Sequence, residues 1–506
     1  MKKFFRLGTT AKVSMVILIS RMTGFVRDIC IATFIGAGPL NDAFLAAFKL
    51  ANLFRAIFSE GAMNSAIVPT ISHSLASHGD KYTRLVKCHI LTMLVTTLIL
   101  FTLFVFYYME FVILITNYGF ANNPTIFNLA VDLAYIIFPY LSFISISAFY
   151  GSILQVKGIF IPFAATSIIM NSVLISSFYI CISLGDFCTS QVHALSYSVL
   201  ISGILEMLWM ISWAYKYNVK LQLRKPILSK YSKKILKRFL PAIFSSGMVQ
   251  ISVWCDMIIL SCFSGGISYL YFADRIIQLP LALFSTASAM TLLPLLSKVS
   301  ADQAMKSAAF NKSLRTILCF ILPAAIGLFL ISDEIITAFF RRGKFTNEAA
   351  INTALMLKIL CFALPFQGIC KIYNAVLYST GNTKTPMYIS IVNLVINISI
   401  SFALKDYVGY ICVAIAAIFS NATQLLLLIL SSKEIAKISA ETKKDFLKYI
   451  IGMVVMGFAI VVMKEMLVQK SNSIKIISLI FCGGISYIVI LATLKVKILK
   501  DFFSRS

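Results

Sequence analysis

A chain of 506 residues with 59% hydrophobic and only 13% charged side chains, and a mean hydropathy of +0.88, cannot be solvated as a globule. That excludes a soluble enzyme and defines an integral membrane protein. The formal charge of +25 would mark a nucleic-acid binder in a soluble chain; in a membrane protein it is first a topology signal.

A membrane-spanning helix needs about 20 apolar residues, and the chain divides into about fourteen such stretches separated by short polar breaks. They lie near 8–35, 42–72, 89–116, 125–154, 160–184, 192–214, 239–262, 267–296, 314–340, 348–378, 386–404, 408–431, 446–468 and 474–494. The first follows Lys2, Lys3 and Arg6, and its run from Val13 to Ile19 imitates a signal peptide. Arg21 interrupts that run and no small-x-small cleavage site follows, so it reads as the first membrane helix. With the N-terminus inside, most of the 45 Lys and Arg residues fall in cytoplasmic segments, including the basic connection from Lys216 to Arg238. The opposite loops hold only Arg341, Arg342, Lys344, Lys405, Lys464, Lys470 and Lys475. The positive-inside rule therefore puts both termini in the cytoplasm. The 11 cysteines are scattered singly, without a disulfide framework or zinc spacing, and the 4 histidines form no ligand pair on a helix face.

The halves resemble each other. Ala62, Pro69 and Ser72 recur as Ala287, Pro294 and Ser297, and Gly158 before Pro162 recurs as Gly381 before Pro386. Six spans return a chain to its starting side, so duplicated halves share one orientation, an architecture of transporters with a substrate site between lobes. The expected fold class is an all-α membrane protein of about 14 helices. It comprises two parallel six-helix lobes, 1–225 and 226–440, related by an axis along the membrane normal, and two extra helices in 441–506.

Seven cations remain inside predicted spans: Arg21, Arg27, Lys49, Arg55, Arg275, Lys358 and Lys371. Each costs about 2.5–3.5 kcal/mol at a helix centre, so a group of them should line a wet or protein-buried cavity. Ser20, Gly24 and Arg27 share one helix face, as do Asn52, Arg55 and Ser59. Arg21 faces elsewhere unless the helix bends at Gly24. Adjacent residues diverge on a helix, so Arg27–Asp28 and Asp274–Arg275 are not expected to neutralise one another. Arginine rather than lysine favours an oxyanion partner such as phosphate, whereas a cation exporter would place acids there. The acids within spans are few: Glu60, Asp132, Glu206, Asp256 and Asp274, with Asp28 and Asp42 nearer the outer ends. No nucleophile elbow, Walker A loop or H-E-x-x-H accompanies the arginines, so catalysis and ATP-driven pumping are unsupported. Energy must come from an ion gradient, the membrane potential or the substrate.

Specific segments carry a family resemblance. Ser20-Arg21-Met22-Thr23-Gly24-Phe25-Val26-Arg27-Asp28, Phe34-Ile35-Gly36-Ala37-Gly38, Asp42-Ala43-Phe44, Ala47-Phe48-Lys49-Leu50-Ala51-Asn52-Leu53-Phe54-Arg55 and Glu60-Gly61-Ala62 resemble the MurJ/MviN lipid II flippases. The likeness continues at Tyr271-Phe272-Ala273-Asp274-Arg275 with Pro280, at Leu293-Pro294, at Gly343-Lys344-Phe345-Thr346 and at Thr383-Lys384-Thr385-Pro386. The resemblance implies a transporter, not an enzyme, that moves undecaprenyl-diphosphate-linked peptidoglycan precursor from the inner to the outer leaflet by alternating access. It implies a multi-pass protein of the bacterial inner membrane whose partners are lipid II, membrane lipids and the peptidoglycan synthesis machinery, with no nucleic acid. It assigns substrate binding to Arg21, Arg27, Arg55 and Arg275 with Ser20 and Glu60, gating to Asp42 and Pro162, and a lipid-tail groove to the two extra helices; helical spacing adds Asn52 to the binding group and the possible bend adds Gly24 to the gating residues. No cofactor is implied beyond sodium or proton coupling, for which Asp256, Asn393 and Asn397 are the matching sodium ligands. Ala51 and Ala56 depart from the family pattern, where proline and a second arginine are common. The rival readings are a flippase for another lipid-linked oligosaccharide, a multidrug or cation antiporter, a polyprenyl-phosphate glycosyltransferase and a non-transporting scaffold.

Overall fold

The computed structural model describes residues 9–56, 63–184, 190–224, 250–286, 288–290, 292, 296, 303–432, 436–467 and 472–496. The chain is an all-α, multi-pass membrane protein. Among the described residues nine helical stretches are long and apolar enough to cross a membrane, with Gln250–Leu260 as a shorter apolar helix. Those stretches are not single crossings: Lys384–Ser431 joins two helices packed side by side. The helices are unbroken apolar runs because, in lipid, each backbone N–H and C=O must be bonded within its own segment.

The chain forms two compact units, Met1–Ile267 and Ser268–Ser506. The first begins with α1 (Thr9–Phe34), whose end turns at Gly36 with φ 85°. Pro39 then opens α2 (Pro39–Arg55), where its missing N–H is harmless. Next come α3 (Met63–Tyr107), the short α4 (Met109–Thr116), α5 (Pro124–Ile137), α6 (Tyr140–Val156), α7 (Ile161–Leu184), α8 (Gln191–Lys216) and α9 (Gln250–Leu260). α1 packs on α7, α2 on α5, and α6 on both α3 and α8. One apolar seam joins Ile67, Ile71, Val86 and Ile90 of α3 to Phe149 and Ile153 of α6 and to Met210 and Ala214 of α8. The i, i+4 spacing of these residues is the stripe a helix buries.

The polar break expected between 72 and 89 is where α3 divides into two helical segments. They meet at Gly79, which is non-helical at φ 69° and ψ −177°, a conformation open to glycine. The Thr83 hydroxyl spans the kink, donating to the Gly79 carbonyl at 2.8 Å and lying 3.1 Å from the Ser74 hydroxyl. α9 belongs to the first unit: the Gly119 N–H donates to Ser261 Oγ at 2.9 Å, and Trp254 meets Phe54 edge-on. A side chain at Gly119 would overlap the Ser261 and Cys262 backbone. Compactness thus divides the chain after Ile267, not at the 225/226 boundary of the expected duplication.

The second unit contains α10 (Gly266–Pro280), whose first two residues belong to the first unit, followed by a π turn at Leu281–Thr286. It continues with α11 (Gln303–Leu330), α12 (Ser332–Phe339), α13 (Asn347–Ser379), α14 (Lys384–Val408), α15 (Cys412–Ser431), α16 (Ala440–Met466) and α17 (Asn472–Thr493). Several bounds repeat those of the first unit at one displacement of 223 residues. α4 at 109–116 answers α12 at 332–339, the α5 start at 124 answers the α13 start at 347, and the α7 start at 161 answers the α14 start at 384. Gly158 (φ 78°) and Gly381 (φ 76°) turn the chain at matching places.

The appended α16 and α17 pack on each other, and α16 packs on α11. At one end the Asn311 amide donates to the Lys437 carbonyl at 2.8 Å, and its Oδ1 accepts from Ser439 N and Thr442 Oγ1 at 2.8 Å each. Arg315 there pairs with Glu441 at 3.3 Å and Asp445 at 3.5 Å. At the other end buried Glu334 takes Lys464 at 2.9 Å and Lys475 at 3.3 Å. Two of the lysines that ran against the charge bias of the outer loops are therefore internal partners of an acid. Removing that acid leaves two ammonium groups facing each other. Glu334→Ala is expected to destabilise the protein by about 2–3 kcal/mol, seen as a lower thermal unfolding temperature in detergent, with Glu334→Gln losing less.

Candidate functional site

The intramembrane arginines differ in their surroundings. α1 is helical through Gly24. Arg21 is exposed, while Arg27 is 8% and Asp28 2% exposed. Arg27 Nε and Nη2 both donate to Asp28 Oδ1, at 3.0 and 2.7 Å. This corrects the expectation that sequence neighbours cannot neutralise each other: the Cα–Cβ bonds diverge, but the long arginine side chain folds back until its fork meets the carboxylate.

The remaining arm of the fork finds a residue that the sequence reading missed. Arg27 Nη1 donates to Asn171 Oδ1 at 3.0 Å. The Asn171 amide donates in turn to the Ser20 carbonyl and the Thr23 hydroxyl, each at 3.1 Å. Ser20, Gly24 and Arg27 do form one face, and Asn171 of α7 is what they face. A Cβ at Gly24 would sit 3.4 Å from the Asn171 amide nitrogen, in van der Waals contact with it. The available signal was a lone asparagine in the apolar run of α7, a residue type that lipid-embedded helices keep for interhelical bonds.

On α2, half-buried Arg55 donates through Nε to Asn52 Oδ1, the i, i+3 partner expected from spacing. Glu60 and Ser59 lie outside the described residues. Asp42, in the first turn of α2, is 1% exposed and accepts the Gly265 N–H at 2.7 Å. Gly265 has φ 80° and precedes α10, so the carboxylate sits where backbone N–H groups favour an anion. Pro162 starts α7, and its carbonyl accepts the Trp209 indole N–H at 3.1 Å.

In the second unit Arg275 lies over the Tyr271 ring at 4.7 Å, a cation–π geometry. Asp274, its sequence neighbour, takes the Gln278 amide at 3.2 Å instead. The π turn after Pro280 brings Thr286 to Lys371, whose ammonium donates to its hydroxyl at 2.7 Å. Lys358 pairs with Asp333 at 2.7 Å. For the sodium ligands, Asp256 is in α9 of the first unit, and Asn393 and Asn397 are one turn apart on α14 of the second. Asn393 donates to Gln424 Oε1 at 3.3 Å, and the buried Asn397 Oδ1 accepts no hydrogen bond. Among the described residues no cluster of three His, Cys, Asp or Glu side chains could hold a metal.

Membrane-length helices that bury the Arg27 guanidinium against Asp28 and Asn171 define a polytopic membrane protein with charge held in its interior. Solved structures share the fold. The chain matches one titled as the lipid II flippase MurJ in an inward closed conformation, with TM-score 0.82 and 26% identity, over 95% of this chain and 98% of that one. It also matches an inward-facing multidrug resistance MATE transporter of the MOP superfamily, with TM-score 0.68 and 15% identity over 85% of this chain and 99% of that one. The family model described as lipid II flippase MurJ matches residues 31–481. The curated relative from Rhizobium meliloti, a probable lipid II flippase MurJ, is 32% identical over 84% of this chain and 79% of its own length. The one from Buchnera aphidicola of Acyrthosiphon pisum is 31% identical over 98% of both chains. The chain belongs to the MurJ lipid II flippase family, a family of transporters rather than enzymes.

Asn171 is the interhelical fastener of this face. Asn171→Leu, which keeps the volume and removes the amide, is expected to cost about 2–3 kcal/mol because a charged hydrogen bond is lost at a buried site. Thermal unfolding of the purified variant measures the loss, and Asn171→Asp is expected to recover only part of it, since its carboxylate accepts from Arg27 but cannot donate to the Ser20 carbonyl.

Proposed function

We propose that the chain carries lipid II, the undecaprenyl-diphosphate-linked disaccharide peptide, from the cytoplasmic to the periplasmic leaflet of the bacterial inner membrane by alternating access. Family membership supports the substrate. The observation that carries the chemistry is the Arg27 guanidinium, held through Asp28 and Asn171 so that a planar donor group is oriented before any ligand arrives. Arg21, Arg27, Arg55 and Arg275, with Ser20, Asn52 and Glu60, serve the anionic headgroup while the prenyl chain stays in lipid. Asp42, Gly24 and Pro162 act in gating: Asp42 by letting go of the Gly265 N–H, and Gly24 and Pro162 as the points where α1 and α7 shift.

Both termini lie in the cytoplasm. Two observations support that orientation beyond the distribution of lysine and arginine. Cys181, near the end of α7 assigned to the outer face, is disulfide-bonded, which suits an oxidising compartment, although the sequence reading expected no disulfide. Lys464 and Lys475, which counted against the rule, answer Glu334. The chain arose by a six-plus-six duplication with lobes 1–225 and 226–440, and helices α16 and α17 in 441–506 provide a groove for the lipid tail. Membrane lipids and the peptidoglycan synthesis machinery are its partners.

The membrane potential drives the cycle, since each negative charge moved outward gains about 2.3 kcal/mol per 100 mV. A sodium ion would find hard oxygen donors in Asp256, Asn393 and the unbonded Asn397 Oδ1, and it would supply fixed positive charge when bound. The rival drug-antiporter reading rests on MATE neighbours at 15% identity, which speak for the fold alone. Depletion of the protein in its own cell is expected to trap labelled lipid II in the inner leaflet, with rescue by wild type and none by Arg27→Ala or Arg275→Ala inserted at normal levels. Rescue by either variant, or loss of some other solute flux with lipid II unchanged, defeats the assignment.

A further inference from the structure

α8 ends in a Schellman turn. Asn218 takes the left-handed conformation at φ 58°, its N–H donates to the Tyr215 carbonyl at 3.0 Å, and the Val219 N–H donates to the Ala214 carbonyl at 2.8 Å. The Lys157 ammonium, at the end of α6, donates to the Tyr217 carbonyl at 2.7 Å. The chain then follows α3, and every second residue bonds its next turn. The Lys220 carbonyl accepts from Arg84 Nε at 3.0 Å, the Gln222 N–H donates to Cys88 Sγ at 3.5 Å, and the Arg224 N–H donates to Thr92 Oγ1 at 2.9 Å. From Arg84 to Thr92 a helix rises about 12 Å, a distance that Lys220 to Arg224 covers only as extended chain.

The extended segment alternates. Val219 is buried in the apolar seam of α3, α6 and α8, and Leu221 packs against it; Lys220, Gln222 and Arg224 are exposed. Leu223 departs from the pattern and is 63% exposed. Its place explains this: Arg84 precedes the apolar run that begins near residue 89 and Thr92 lies within it, so the segment leads back from the helix ends to the edge of the hydrocarbon. A leucine exposed there meets acyl chains, and an arginine fastened beside it must reach up to a phosphate. No acid answers it. The sequence has no Asp or Glu between Glu206 and Asp256. On the facing stretch 80–92 of α3 the one acid is Asp80, more than three turns before Thr92, against Lys81, Arg84 and Lys87. Topology asks only that cations lie on this side of the membrane. It does not ask that backbone bonds to three successive helix turns carry two of them to the hydrocarbon boundary.

We propose that the segment from Tyr217 to Arg224, laid on the start of α3, is a binding site for the headgroup of an anionic phospholipid. Arg224 and Lys220 hold the phosphate, and Leu223 lies against the acyl chains below it. The surrounding cations, Arg84, Lys87 and Lys157, give the site a net positive charge that selects an anionic headgroup over a zwitterionic one. This rests on the reading that membrane lipids are partners of the chain, and it names the class of lipid and the place.

The test uses the full chain in vesicles of phosphatidylglycerol and phosphatidylcholine in equal parts. A trace of one lipid or the other carries a diazirine near its glycerol, and mass spectrometry locates the adducts after illumination. Both lipids reach both leaflets, so the result does not depend on the orientation of the chain. The phosphatidylglycerol probe is expected to label the peptides containing 217–224 and 84–92 at least about fivefold more than the phosphatidylcholine probe, and Lys220→Gln with Arg224→Gln to reduce that preference by about fivefold per cation. Both side chains are exposed and the backbone bonds to α3 stay in place, so the variant keeps its fold. Lys443→Gln with Lys444→Gln, which removes the same charge from exposed positions at the start of α16, is expected to leave the preference unchanged. Equal labelling by the two probes overturns the anionic site and leaves membrane lipids as partners. No labelling of these peptides by either probe overturns the lipid contact itself. Displacement of the probe by millimolar inorganic phosphate, or a preference that survives in the Lys220 and Arg224 variant, overturns the assignment to a lipid headgroup held by these residues.

Discussion

A charge held in a medium that cannot solvate it must be answered by another charge or by a full set of hydrogen bonds, and the described part of this chain is organised around that constraint. Arg27 is met by Asp28 and Asn171, and the asparagine fastens α7 to the face of α1 that carries the arginine. Lys358 is met by Asp333, Lys371 by Thr286, and Glu334 by two lysines. Each answer comes from a different helix, a different turn or the next residue, so each charge also joins elements. With apolar surface on every side and lipid as apolar as leucine, burial alone distinguishes few helix pairings. The charged and amide groups specify which helices meet and in what register.

Small residues perform the complementary task. Gly119 lets its backbone reach the Ser261 hydroxyl, and Gly203 admits the Tyr140 ring. Gly158 and Gly381, with nearly equal positive φ, reverse the chain at corresponding places in the two halves. The repeated bounds of α4 and α12, and of the starts of α5 and α13, show the same punctuation applied twice. A turn at positive φ admits few residues other than glycine, whereas an apolar helix face accepts many substitutions.

Most of the fold was legible in the sequence, since a run of about 20 apolar residues admits one secondary structure in lipid. What could not be read was local. The polar break before residue 89 was legible, but not that the Thr83 and Ser74 hydroxyls would meet across the Gly79 turn. The site was legible in part: the shared face of Ser20, Gly24 and Arg27 follows from the helical repeat, and the Asn52–Arg55 bond from its spacing. Asn171 was not, because it comes from a helix more than a hundred residues on, and no periodicity within α1 points to it. The Arg27–Asp28 pair was misread for a different reason. Spacing rules locate Cβ atoms, while an arginine carries its charge several bonds further out and can reach a neighbour whose own Cβ points away.

The arginines therefore differ in kind. Arg27 has its counter-ion built in beside it, so its guanidinium brings little net charge and is held as a rigid donor fork. Arg55, in the last turn of α2, is half-buried and donates to the neutral amide oxygen of Asn52. A carrier that bound a diphosphate through permanently uncompensated arginines would hold it too tightly to release it on the other side. Pairing an arginine with a fixed acid, as Arg27 is paired with Asp28, tempers its hold on an anion so that affinity can be withdrawn, and a transport cycle requires that.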